Sequence, residues 1–205
     1  MPVIVVANPK GGVGKSTLAT NIAGYLASRG HGVMLGDADR QQSARTWLGL
    51  RPGHVPAISS WEALGDGTVR PPKGTTHAVI DTPAGLHGKR LDEVMKHADK
   101  VIVPLQPSIF DIHATHDFIG QLQQKKRSDG VAVALVGMRT REGTIATDQL
   151  RSFLGHEHLP ILGFLRDTQN YVHLAAHGLT LFDVGAARFE RDREQWQPII
   201  AWLDA

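Results

Sequence analysis

The feature that most constrains this chain lies near its start. A continuous apolar stretch, Val3 to Ala7, has the length of one strand. After Asn8-Pro9 it runs into Lys10-Gly11-Gly12-Val13-Gly14-Lys15-Ser16-Thr17. From Ser16 to Ser28 the residues Leu18, Ile22, Tyr25 and Leu26 keep helical spacing, and Gly30 stands where such a helix would stop. Strand, glycine-rich turn and helix in this order build an anion site. Glycines let backbone N–H groups turn inward and approach phosphate oxygens with no Cβ in the way. The following helix aims its unpaired N–H groups and positive dipole end at the same place. Lys15 is placed to reach the β- and γ-phosphates of a nucleotide, and the Ser16 hydroxyl to ligate Mg²⁺. Gly11, Gly12, Val13, Gly14, Lys15, Ser16 and Thr17 are therefore the expected nucleotide-binding residues. The strict pattern G-x-x-x-x-G-K-[ST] opens on a glycine, where this chain has Pro9.

The rest of the chain repeats the alternation. Short apolar runs recur at Val33–Leu35, Ala78–Ile80, Val101–Leu105, Val131–Val136 and Ile161–Leu165. Helical patterns fill the gaps at about 88–98, 110–126, 144–155, 169–177 and 188–203. Strands apolar on both faces and separated by helices predict an α/β fold, a doubly wound and mostly parallel sheet with helices on both sides. Leu50 to Thr76, with four Pro and four Gly, reads as a surface excursion with one short helix near Trp61. No repeat or boundary interrupts the pattern, so a single domain is expected over residues 1–205. Its 205 residues, 41% hydrophobic, suffice for one core.

Composition removes several chemistries. With no cysteine, thiolate catalysis, disulfides, cysteine zinc sites and iron–sulfur ligation are excluded. A net charge of +2 is too small to mark a nucleic-acid binder by itself. No apolar run approaches the ~20 residues of a membrane span. The N-terminal apolar run has no basic residue before it and is too short for a secretory leader. A soluble cytosolic protein is the expectation.

Acidic residues follow the strands. Asp37-Ala38-Asp39 comes after the second apolar run, and in an extended chain both carboxylates point to one side. Both then stand at the carboxyl edge of the sheet, where doubly wound folds bind ligands. Asp39 equally suits a helix N-cap, which would not exclude a chemical role. Asp81, ending Ala78-Val79-Ile80, reaches the same edge ahead of the turn Thr82-Pro83-Ala84-Gly85 and fits a carboxylate holding Mg²⁺ directly or through water.

Lys10 directly before Gly11-Gly12 resembles the deviant Walker A motif of the ParA/MinD family of ATPases. Ala98 to Asp111, with Pro104-Leu105-Gln106-Pro107-Ser108, resembles that family's strand, Pro-x-x-Pro-Ser and helix; His177 to Asp183 with Gly185-Ala186 resembles its C-terminal end. The likeness covers most of the chain outside Leu50–Thr76 and places it among short ParA-like proteins lacking an extra N-terminal DNA-binding domain. The resemblance implies ATP and Mg²⁺ as cofactors. It makes Lys10 a signature lysine that crosses to the partner's nucleotide in an ATP-bound homodimer, with Lys15 as the loop lysine. It assigns Asp39 to the attacking water and sets Asp37 near Mg²⁺. The family's Asp-x-Asp-Pro-Gln here has Arg40 in place of proline. It further implies non-specific DNA binding near the C-terminal end, where Arg166 and Arg188 fall nearest, slow hydrolysis stimulated by a ParB-like or cargo-adaptor protein, and action in the cytoplasm on the nucleoid. The output would be positioning of a plasmid, a chromosome region or a large protein cargo.

Rival readings rest on particular residues. A ligase of the dethiobiotin synthetase type has no use for Lys10. A MinD-like membrane ATPase would need an amphipathic C-terminal helix with a basic face. The stripe Trp196, Ile199, Ile200 and Leu203 is flanked by Glu194 and Asp204 and interrupted by Pro198, so packing on the sheet and no membrane contact are expected. Two tyrosines without a C-terminal cluster disfavour a tyrosine kinase of this fold. His113/His116 and His173/His177 share helix faces but have no further ligand set. Lys125-Lys126-Arg127 suits a helix end. Arg139, Arg141, Arg166, Arg188, Arg191 and Arg193 are candidates for a phosphate-binding surface. Glu190, Asp192 and Glu194 interleave with the last of these, as in solvated ion pairs.

Overall fold

A strand whose side chains are apolar at every position must be covered on both faces, and the first strand shows how. In the computed structural model, which describes residues 1–37, 43–61 and 71–205, β1 (Val3–Val6) is buried along its whole length. Val3 and Val5 enter one core layer, Ile4 and Val6 the other. Then follow α1 (Lys15–Ser28), β2 (Val33–Asp37), α2 (Ser43–Leu50), β3 (Ile58–Trp61), β4 (His77–Asp81), α3 (Gly88–Met95), β5 (Lys100–Leu105), α4 (Ile109–Asp129), β6 (Ala132–Thr140), α5 (Ile145–His156), β7 (Ile161–Arg166), α6 (Gln169–Ala175) and α7 (Glu190–Asp204).

The seven strands form one sheet in the order β3-β2-β4-β1-β5-β6-β7, and every pairing is parallel. The chain winds outward from β1 to β2 and β3, returns to β4, then crosses β1 to build β5, β6 and β7. The direction reverses at β1, and such a reversal opens a crevice at the carboxyl ends of the strands. Residues of α1, α2, α6 and α7 share one core layer with the sheet; those of α3, α4 and α5 share the other. The doubly wound sheet expected from the alternation is present.

Two local elements differ from the sequence reading. No helix surrounds Trp61 on its N-terminal side: Ile58–Trp61 is an edge strand, paired with β2 from Val33↔Ile58 to Gly36↔Trp61. Its Ile-Ser-Ser-Trp sequence has no run of strand formers. The edge of the sheet supplies the pairing, and the two serines face solvent. Residues 62–70 of that excursion lie outside the described residues. Conversely, α2 was not expected. It is short, and only Ala44 and Trp47, three residues apart, signal its buried face.

The C-terminal stripe packs inward. Trp196 and Ile199 are fully buried, and Trp196 Nε1 donates to Tyr171 Oη at 2.9 Å. Helix α7 runs through Pro198. The nearby charges are not all solvated pairs: Asp192 has no exposed surface and accepts from Arg166 and from Asn170 Nδ2 at 2.6 Å. Packing of α7 on β7 seals that carboxylate away from water. Among the described residues no helix is long and apolar enough to cross a membrane.

Candidate functional site

The loop between β1 and α1 turns at Gly12 (φ 75°) and Gly14 (φ 95°), both in the left-handed region. A Cβ at position 14 would also lie 2.8 Å from Met138 Cε, so that side chain would have to move aside. Three neighbouring segments brace the loop. Asn8 is buried; its Oδ1 accepts from Lys10 N at 2.8 Å and its Nδ2 donates to Pro104 O at 2.8 Å and Thr115 Oγ1 at 3.2 Å. Gln106 Nε2 donates to Gly12 O at 2.6 Å. Gly85 N donates to Pro9 O at 2.7 Å, so the residue in place of the pattern's first glycine serves as an acceptor.

An open cavity of about 530 Å³ lies over this loop, lined by Gly11, Gly12, Lys15, Ser16, Thr82 and Arg139 among others. Lys15 is nearly buried, and its Nζ donates to Lys10 O at 2.6 Å, which curls the ammonium over the loop. The glycine backbone, the lysine and the Ser16 hydroxyl converge as a triphosphate with a bound divalent cation requires. The donor set fits that group.

Two carboxylates stand behind it. Asp37 and Asp81 are register partners at the ends of adjacent strands β2 and β4. Asp81 is 1% exposed, and the next residue, Thr82, donates from Oγ1 to Val6 O at 2.9 Å, tying this turn to β1. Asp37 Oδ2 accepts from Ala44 N at 2.8 Å and Arg45 N at 3.2 Å, satisfying the first turn of α2. Asp37 thus caps this helix from the end of β2. Asp39 itself, with Ala38, Arg40, Gln41 and Gln42, lies outside the described residues.

Lys10 does not line the phosphate cavity. Its side chain is 38% exposed, and its ammonium lies 3.9 Å from Asp111 Oδ1 on the first turn of α4. A second cavity of about 420 Å³ adjoins the first; Gly14, Thr17 and Arg139 line both. Met138, Tyr171, Val172 and Ala175 give it apolar walls, with Arg166, Asp167, Thr168 and Gln169 as charged and polar groups. A flat heterocycle attached to a loop-bound phosphate chain would fit there.

The two arginines singled out for DNA differ in availability. Arg166 donates from Nε and Nη2 to Asp192, and that carboxylate holds the guanidinium above the ordinary arginine range. Burial pushes the neighbouring Tyr171 phenol well above its usual range, so it stays a neutral partner for Trp196. Arg188 is exposed and stacks over Phe189 at 4.5 Å. Among the described residues no group of three or more His, Cys, Asp or Glu could hold a metal ion. The rings of His173 and His177 lie 4.9 Å apart, tilted by 52°.

Several residues of the site gave little sign in the sequence. Asn8 is a lone polar residue at a strand end, and its partners lie 96 and 107 positions away. Gln106 and Met138 reach the loop only because β5 and β6 end beside it. Arg139 carried only its charge.

Fold and site together define a P-loop nucleotide-binding domain of the doubly wound class. Residues 4–181 match the CobQ/CobB/MinD/ParA nucleotide binding domain, and the chain belongs to that family. It is 28% identical to the maintenance of carboxysome distribution protein A of Halothiobacillus neapolitanus, over 89% of this chain and 88% of that one. In structure it superposes on the MinD cell division protein of Aquifex aeolicus with a TM-score of 0.76 and 19% identity, covering 100% and 98% of the two chains. On the Cyanothece McdA(D38A)–ATP complex the TM-score is 0.72 at 14% identity, covering 97% and 96%. At these identities the two structures establish the fold alone.

Proposed function

We propose that this protein is an ATP-hydrolysing partition or positioning ATPase over residues 1–205, which dimerises around two ATP–Mg²⁺, binds DNA without sequence preference and distributes a cargo on the nucleoid in the cytoplasm. The observation that carries the reading is the placement of Lys10. A lysine fixed at the loop, yet outside the cavity and more than a third exposed, is suited to a nucleotide held by a second copy rather than its own. The names of the relatives, which concern carboxysome distribution and cell division, agree with a positioning role.

The division of labour follows from the site. Loop N–H groups and Lys15 bind the phosphates. The Ser16 hydroxyl, Asp81 and Asp37 hold Mg²⁺, which when bound neutralises phosphate charge. Asp39 orients the attacking water, and Lys10 of the partner copy adds a cation where negative charge develops. Phosphoryl transfer asks the protein for such positioning and charge neutralisation more than for covalent help. DNA contact falls to exposed cations such as Arg188, with Arg166 at the edge of that surface. Residues 131–205 hold seven arginines against nine carboxylates, so binding relies on the dimer pooling two modest patches and falls steeply with salt. A ParB-like or cargo-adaptor protein accelerates turnover. A MinD-like membrane role is not favoured, because Trp196 and Ile199 are buried against the sheet.

ATP turnover and sedimentation test the reading. Lys15→Ala should lose nucleotide, Lys10→Ala should bind it as a monomer, and Asp39→Ala should dimerise but hydrolyse slowly. Turnover unchanged in both Lys15→Ala and Asp39→Ala would remove the mechanism.

A further inference from the structure

Arg139 is the one non-glycine residue among those described with a positive φ, 51°. The register of β6 against β7 shifts between Gly137 and Thr140, and Arg139 sits within that irregularity. An extra residue in a strand breaks the in-and-out alternation and re-aims a side chain, and such bulges concentrate beside functional sites. Here Met138 stays buried, packed beneath Gly14 of the phosphate loop, while Arg139 is turned outward. A left-handed conformation costs a residue that carries a Cβ, and it persists only where surrounding structure imposes it.

The side chain so placed lines both cavities, with Gly14 and Thr17. Its charge has no ion-pair partner among the described residues. Neighbouring arginines are engaged: Arg141 with Asp167, Arg166 with Asp192, Arg191 with Glu142 at 3.6 Å, and Arg193 with Val184 O at 2.7 Å. Arg139 makes no hydrogen bond or ion pair with any described residue. An exposed cation at the seam between a phosphate cavity and an apolar one faces the part of a nucleotide where phosphate meets ribose.

We infer that Arg139 is a nucleotide-holding residue whose guanidinium binds the α-phosphate, and that the β6 bulge exists to aim it there. The inference rests on the nucleotide reading above and adds a residue to it. Arg139 acts by binding, so its loss raises the nucleotide requirement and leaves the chemistry at Asp39 intact.

The test uses Arg139→Gly and Arg139→Lys in the full chain. Glycine is at ease at φ 51°, so the apo melting temperature of Arg139→Gly should equal or exceed that of the wild type, which separates a binding defect from misfolding. Calorimetry should show ADP held about 10- to 100-fold more weakly, the range for hydrogen bonds to a charged group. Competition against labelled ADP should show AMP weakened by the same factor and adenosine unchanged. Arg139→Lys should recover part of the affinity. In turnover KM should rise while kcat holds. Undiminished ADP affinity in Arg139→Gly would overturn the inference, as would a loss confined to DNA retention. Equal weakening of adenosine would move the contact off the phosphate and overturn it too. Failure of the wild type itself to bind ADP would instead sink the nucleotide reading underneath.

Discussion

The two edges of one sheet are built to opposite specifications. At the carboxyl edge the helices begin, so unpaired N–H groups and positive dipole ends converge there. That edge collects negative charge: Asp37 at the end of β2, capping α2, Asp81 at the end of β4, and the phosphate cavity over α1. At the amino edge the helices end, and carbonyls converge. That edge collects cations. Lys100 Nζ donates at 2.8 Å to both Trp202 O and Leu203 O in the last turn of α7. Burial lowers the pKa of this lysine, and Asp204 and Asp99 oppose the shift. Arg51, beyond the end of α2, donates to Gly178 O at 3.2 Å and grips Asp183 in a bidentate pair with almost no exposed surface. Tyr25 Oη donates to Asp204 at 2.7 Å, and burial pushes its phenol up to about 12. The difference lies in pairing. Lys100, Arg51 and Tyr25 at the amino edge are each held by partners within the protein, beside an open cavity of about 650 Å³, whereas Arg139 at the carboxyl edge has no ion-pair partner among the described residues and faces the phosphate cavity. Parallel strands make this asymmetry unavoidable, because every crossover helix points the same way.

If the contrast is right, substitutions at the amino edge change stability and those at the carboxyl edge change ligand binding. The largest effect is expected from Asp183→Ala, which strands the buried Arg51; such losses cost about 3–5 kcal/mol. Urea unfolding should register it, and protein still folded should bind ADP as before. A smaller change, under about 1 kcal/mol, would mean that water reaches Arg51 and screens the pair.

Asp37 sharpens the comparison from the other side, because it serves both fold and ligand. Asp37→Ala removes acceptors from the first turn of α2 and should cost about 0.5–2 kcal/mol, the usual range for a lost cap. Asp37→Asn keeps an oxygen for those N–H groups and should recover most of that stability. It should still need severalfold more Mg²⁺ for half-maximal ATP turnover. An unchanged Mg²⁺ requirement would leave Asp37 as a cap alone.

The smallest expected effect is a pH slope at the amino edge. The rings of His77 and His31 lie 4.2 Å apart, tilted by 49°. Burial, then His31 and the N-terminal amine, lower its pKa below 6.5; Asp204 opposes them and Lys100 adds weakly. The unfolded chain therefore binds more protons than the folded one just below pH 6.5, the ordinary histidine value. Stability should be fully present above that pH and fall as pH drops through the window beneath it. The urea midpoint should drop less between pH 7.5 and 5.5 in His77→Gln than in the wild type. Identical drops would show that partial burial at this edge does not set the protonation of His77.

How much of this was legible in the chain depends on the range of each contact. The phosphate loop was readable because strand, glycines, lysine and helix are adjacent in sequence and each carries its own local physics. Gly30 is a similar case: it follows α1, its N donates to Ala27 O at 3.0 Å, and His31 N reaches Leu26 O at 3.2 Å. Helix α2 and edge strand β3 were missed, since α2 takes its cap from Asp37 six residues upstream of its start and β3 takes its pairing from β2. The solvated reading of Asp192 failed for the same reason, because its partner Arg166 comes from another element.

The sequence by itself determined the alternation, the parallel sheet and the glycine-lysine loop, because periodicity and backbone permissiveness act over a few residues. Only the tertiary structure decided that Met138 presses on Gly14, that Arg139 is turned outward by a bulge, and that Lys10 rests against Asp111 instead of in its own cavity. Those placements depend on where β6 and α4 arrive in space, more than a hundred positions after the loop for Met138, and no local pattern encodes that arrival.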